Sequence, residues 1–214
     1  MTGLRSYGDA CGIARALDLV GERWALLIVR ELLFGPKRFT DLKAGLRRAS
    51  PNVLSQRLRE LEAGGVVQRR RSGGALYELS ESGRALHPIL LDLGRWGARS
   101  PAARGAELSL DALMVALEAT FLPSKAGELD ARYELRLGEE RFTVTIQRGT
   151  IAIARAAFPR ADAVIEATPA TLRGLVFGDT KLAGAAAKLS GDTRLARAFF
   201  GLFARPSASS PAHG

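Results

Sequence analysis

Residues 50–65 constrain the fold of this chain more than any other stretch. Ser50-Pro51 is a helix start: the serine hydroxyl accepts from an otherwise free N–H, and proline sets φ at the first helical position. The helix is predicted to run to about Ala63 and to stop at Gly64-Gly65. Leu54, Leu58 and Leu61 recur at i, i+4 and i+7 and form one buried stripe. The opposite face carries Asn52, Gln56 and Arg59, with Ser55 at its edge and Arg57 nearer the stripe. A merely solvated face more often carries Glu and Lys pairs. This one has short or planar hydrogen-bonding groups of the kind that suit base edges and phosphates.

What flanks this helix narrows the fold. Residues 66–71 and 75–79 read as two strands joined by Ser72-Gly73-Gly74, with Arg69, Arg70 and Arg71 running into the tip. Upstream, 12–18 and 22–34 carry helical patterning, separated at Gly21. In the second of these Trp24, Leu27, Ile28, Glu31 and Leu32 share a face that Leu26, Val29 and Leu33 widen, so a nearly buried helix is expected, ended by Gly35-Pro36. Thr40 is the expected N-cap of a short helix to Leu46. Ser80 is the expected cap of a last helix reaching Trp96, with a kink at Pro88.

Helices followed by a basic hairpin, with a polar-faced helix just before it, describe a winged helix-turn-helix. The second helix of the pair lies in the major groove, and the wing meets backbone or minor groove. The candidate DNA contacts are Ser50, Asn52, Ser55, Gln56, Arg57, Arg59, Arg69, Arg70 and Arg71. Two alternatives stay open. Arg57 suits an internal salt bridge as well as a phosphate, and strand alternation cannot aim all three wing arginines at DNA.

The charge distribution agrees. The 214-residue chain has a formal net charge of +9, and residues 1–100 hold 17 basic against 10 acidic side chains. A polyanion-binding first half joined to a nearly neutral second half follows, with a short linker around 97–106. One cysteine and two histidines leave no internal disulfide and no His/Cys metal cluster. No apolar run approaches membrane length and the start has no apolar signal region, so a cytoplasmic protein is expected.

Several segments resemble the HxlR-type winged-helix transcription regulators of the MarR-like superfamily: Cys11-Gly12-Ile13-Ala14-Arg15 through Gly21-Glu22-Arg23-Trp24, Arg38-Phe39-Thr40-Asp41-Leu42, Ser50 through Leu58, Leu61 through Val67, and Tyr77 through Gly83. The resemblance implies a homodimer, built from the N-terminal segment and the last helix, on a palindromic operator in double-stranded DNA. It also places Cys11 where the family's redox sensors carry a reactive thiol.

The second half reads as a helix over 107–121, strands at 131–137, 141–146, 150–154 and 163–167, a helix from Thr168-Pro169 to Phe177, and a short Ala/Leu helix after Gly178-Asp179. Lys188 to Gly191 is a candidate fifth strand, and Asp192 caps a last helix ending near Phe203. No Ser/His/Asp set, paired carboxylates or phosphate loop is present, so neither an enzyme nor a cofactor is expected. Residues 162–203 resemble the sterol carrier protein type 2 (SCP2) fold, chiefly through Ala163 to Ala167, Leu172 to Gly178 and Lys188 to Asp192. That resemblance implies a five-stranded sheet with packed helices and an apolar tunnel. Leu175, Phe177, Leu182, Phe199 and Phe203 are its candidate lining, core packing being the alternative for each.

The expected chain is therefore α+β: a winged helix-turn-helix domain over 1–100, an SCP2-like domain over 107–204 and a flexible tail over 205–214. The leading reading is a DNA-binding regulator, in the family more often a repressor, responsive to an apolar small molecule or lipid. A lipid carrier, or a second domain used only for oligomerisation, are the competing readings.

Overall fold

The computed structural model describes residues 6–71, 75–98, 100 and 107–205, with Arg71 described by its backbone alone. The chain divides into two compact units, 1–90 and 91–214. Most of the linker and the tail read from the sequence lie outside the described residues. No described helix is long and apolar enough to cross a membrane.

The first unit is built from α1 (Gly12–Val20), α2 (Ala25–Leu32), β1 (Lys37–Arg38), α3 (Phe39–Gly45), α4 (Pro51–Ala63), β2 (Val67–Arg71), β3 (Ala75–Leu79) and α5 (Glu81–Arg84), and α6 (His87–Gly97) begins within it. The α4 boundaries are those read from sequence, with Ser50 Oγ accepting from the Val53 N–H at 3.3 Å. Leu54, Leu58 and Leu61 are buried and join Ile28, Val29, Leu32, Leu42 and Val67 in one core. The hairpin is antiparallel, with Arg69 opposite Tyr77 and Arg70 opposite Leu76.

Four local expectations are corrected. Trp24 stands before α2 in a left-handed conformation, φ +78°, and Leu27 is 38% exposed, so α2 starts later and buries less than its composition suggests. The α3 cap is Arg38 rather than Thr40: Asp41 Oδ2 accepts from the Arg38 N–H at 3.0 Å, so the helix starts earlier. Two residues read as connection, Lys37 and Arg38, form a strand against β3, making a three-stranded sheet in the order β1-β3-β2. The helix capped by Ser80 breaks instead of kinking: Ser80 Oγ serves α5, and Pro88 is the second residue of a new helix, where it sacrifices no hydrogen bond.

The second unit contains α7 (Leu110–Thr120), α8 (Pro123–Ala126), β4 (Ala131–Leu137), β5 (Glu140–Gln147), β6 (Thr150–Ala154), β7 (Ala163–Ala167), α9 (Pro169–Phe177), β8 (Ala187–Gly191) and α10 (Thr193–Phe199). Its five strands are ordered β6-β5-β4-β7-β8, with β4 and β7 parallel and the other neighbours antiparallel. The pleat sorts the faces. Tyr133, Leu135, Phe142, Val144, Ile146, Ala163 and Ile165 are fully buried on one side, whereas Arg132, Arg136, Gln147, Glu166 and Lys188 stand on the other or at its rim.

The helix read from 107 begins at Leu110, because Ser109 Oγ accepts from the Ala112 N–H. The Ala/Leu segment after Asp179 is irregular, with Gly184 at φ +91°, and α10 ends at Phe199 rather than near Phe203. Beyond it Phe203 forms a bridge with Phe121, and the Ala204 N–H donates to the Thr120 carbonyl at 2.7 Å.

The core of this unit holds an unpaired hydroxyl. Tyr133 is fully buried and its Oη has no hydrogen-bond partner among the described residues. Burial first, then the negative charges of Asp162 and Asp192, push its pKa from 10.0 to about 12. Folding therefore opposes ionisation. The wild type should hold its full stability below pH 10.0 and lose it as the pH rises toward about 12, since the unfolded chain ionises first. A Y133F chain should lack this extra alkaline loss and be as stable as the wild type, or about 1 kcal/mol more so, at neutral pH. Urea unfolding of both chains at neutral and alkaline pH checks this.

Candidate nucleic-acid interface

The face of α4 opposite the leucine stripe is open. Asn52, Gln56 and Arg59 are exposed and Ser55 is half-buried. Ser50 is exposed too, but its oxygen is engaged as the helix cap, which leaves its O–H as donor. Arg57 resolves as the internal alternative. It pairs with Glu60 and lies 3.3 Å from Glu22 Oε2, its side chain 14% exposed. A guanidinium between two carboxylates is neutralised within the protein and offers DNA little free charge.

On the wing, Arg69 and Arg70 are both exposed and diverge as strand alternation requires. The Arg69 guanidinium stacks over the Tyr77 ring, 5.7 Å from its centroid, and Arg70 lies 3.8 Å from Glu78 Oε2. Gln68 Nε2 donates to the other oxygen of Glu78 at 2.8 Å, so that carboxylate organises one wing face. Arg71 pairs by its backbone with Ala75; its side chain lies outside the described residues.

Sequence reasoning passed over other charged residues of this unit. Arg38, where β1 meets α3, and Arg48, just before α4, are exposed cations of the same unit. Glu60, the partner of both Gln56 and Arg57, was legible from its i+4 and i+3 spacings.

Cys11 is exposed and directly precedes α1, its N–H donating to Asp9 Oδ1 at 2.8 Å. Helix α1 exposes Ile13 (72%) and Leu17 (42%), one turn apart. In α6, Ile89, Leu93 and Trp96 are likewise exposed at i, i+4 and i+7. Solvent-facing apolar stripes at helical spacing mark contact surfaces.

The five residues read as a pocket lining in the second unit differ in burial. Leu175, Phe199 and Phe203 are buried in the core, where Phe199 lies 5.0 Å from both the Tyr133 and Phe203 rings. Phe177 and Leu182 are partly exposed. A cavity of about 510 Å³ opens elsewhere in this unit, lined by Leu108, Leu113, Pro169, Ala170 and Gly174, with Arg173 among its polar residues.

Comparison with known proteins agrees with the first unit. The model of the family described as "HxlR-like helix-turn-helix" matches residues 19–103. The uncharacterized HTH-type transcriptional regulator YvaP of Bacillus subtilis is 42% identical over 86 residues, covering 38% of this chain and 80% of YvaP. YkvN of the same organism, another uncharacterized HTH-type regulator, is 36% identical over 92 residues, covering 41% and 78%. Among solved structures, quinone-bound YodB from B. subtilis is 33% identical, covers 41% of this chain and 97% of that one, and superposes with a TM-score of 0.38. Identity of this extent along most of a relative's length, with the family model spanning α4 and the β2–β3 hairpin, makes the chain a member of the HxlR-like helix-turn-helix family.

Proposed function

We infer that the chain is a sequence-specific transcriptional regulator, a binding protein rather than an enzyme, that represses promoters whose double-stranded operator it occupies. The observation that carries this is the open face of α4, where Asn52, Gln56 and Arg59 stand exposed opposite a fully buried leucine stripe, beside an exposed basic wing. A helix so anchored is rigid enough to present side chains to base edges, while wing cations meet phosphates. Replacing Arg69 and Arg70 by alanine should weaken binding to all DNA sequences about equally. It should also lower the slope of log affinity against log salt by about one for each phosphate no longer neutralised. Titrations at several salt concentrations read both quantities.

The chain acts as a homodimer on a palindromic site, a reading supported by the exposed stripes of α1 and α6. An I13E/L17E chain should sediment as a monomer at concentrations where the wild type is a dimer, and should lose operator affinity. An unchanged sedimentation coefficient would remove this reading. Cys11 is the candidate thiol through which oxidants or electrophiles act on that dimer. A C11S chain that kept the full response would remove it.

The SCP2-like reading of the second unit is supported by its five-stranded sheet with one buried face. In this reading the unit takes an apolar small molecule or lipid that modulates operator binding. Operator affinity unchanged across a panel of lipids that demonstrably bind the chain would defeat it.

A further inference from the structure

Gln56 is exposed at the centre of the α4 face, yet its amide is not free to turn. Its Nε2 donates to Glu60 Oε1 at 3.0 Å. Glu60 is itself held: its second oxygen takes Arg57, whose other terminal nitrogen lies 3.3 Å from Glu22 Oε2. A side-chain amide has two faces that differ only in which end donates, and hydrogen-bond partners decide between them. An ionised carboxylate can only accept, so it forces the NH₂ end of Gln56 toward Glu60 and the carbonyl oxygen away. One N–H of the NH₂ group remains unspent, next to that oxygen.

We propose that Glu60, clamped by Arg57, is a positioning residue for base readout: it presents Gln56 as a fixed acceptor–donor pair and thereby selects adenine at one position of each half-site. This rests on the reading of α4 as the major-groove helix. Adenine alone shows an amino donor beside the N7 acceptor in that groove, matching Gln56 in both places. Cytosine offers only a donor. Guanine sets two acceptors against the Gln56 oxygen, and thymine an acceptor and a methyl group. Without Glu60 the amide can rotate half a turn and donate to guanine instead, so Glu60 governs discrimination without touching DNA.

The test uses the full chain. A selection from randomised duplexes defines the wild-type site, and competition titrations then measure every single-base variant of it. The wild type should prefer adenine over guanine at one position per half-site by about tenfold or more. In Q56A that preference should vanish. E60Q keeps the side-chain shape but can both donate and accept, so the same ratio should fall several-fold, with the preferences at other positions unchanged. A guanine or thymine preference at the Gln56-dependent position would overturn the proposal. So would a full adenine-to-guanine ratio in E60Q. A wild type that selects no sequence would instead overturn the DNA-binding reading, and this proposal with it.

Discussion

An E31A chain is expected to lose about 3–5 kcal/mol of stability in the first unit. Glu31 is fully buried at the end of α2, between Arg30 Nη2 at 2.8 Å and Lys37 Nζ at 3.0 Å, and the side chains of these cations are themselves only 20% and 14% exposed. Removing the carboxylate takes from two cations with little access to water the buried charge that both of them pair with, which costs more than the pair contributes. The same carboxylate ties α2 to β1, the strand that sets the start of α3, so the approach to α4 is loosened as well. Gly45 shows how closely the site is built: a Cβ there would collide with Glu31 Oε2. A G45A chain should therefore lose about 1–3 kcal/mol by displacing the ion pair. Urea unfolding followed by tryptophan fluorescence reads both. An E31A midpoint equal to that of the wild type would contradict the account of this core.

F199A should destabilise the second unit by about 3–5 kcal/mol, the usual cost of emptying a buried aromatic site. Phe199 is fully buried and packs against three rings: Tyr133 and Phe203, each at 5.0 Å between centroids, and Phe200 at 5.9 Å. Its removal opens a cavity at the seam between α10 and the sheet, where Tyr133 already carries an unpaired hydroxyl. Calorimetry should show the transition of this unit lowered by more than about 10 °C. If Phe199 instead lined a ready-made ligand tunnel, truncation would cost little, because its ring would face open space rather than close-packed neighbours.

The contrast between these residues and those of α4 shows which physics a sequence displays. The limits of α4, its leucine stripe and its polar face were legible because each depends on neighbours within four residues: a cap, a proline, a glycine stop and a period. β1 was not legible. It has only two residues, with no alternation to detect, and exists because Lys37 and Arg38 find Tyr77 and Leu76 across the intervening α3, α4 and β2. Glu31 was placed on the apolar face of its helix, but its partner Lys37 lies beyond the Gly35-Pro36 turn, and no local period reports that pairing. The Ala-rich stretch after Asp179 misled in the other direction. Alanine favours helix, but a segment this short, broken by Gly184, cannot repay the nucleation of a free-standing helix. Phe199 and Phe203 carried the right composition for a core and for a tunnel wall alike, and their ring packing against Tyr133 and Phe121 was not legible from local spacing.

The central claim is that the open face of α4 reads DNA. The most direct measurement is a selection of randomised duplexes by the full-length wild type beside an N52A/Q56A/R59A chain, with affinity for the enriched site followed from low to high salt. The wild type should enrich a two-fold-symmetric site, bind it far more tightly than random duplex, and weaken steeply as salt rises. The triple variant should retain only weak binding that ignores sequence. No enriched sequence for the wild type, or the same site enriched by the triple variant, would contradict the account.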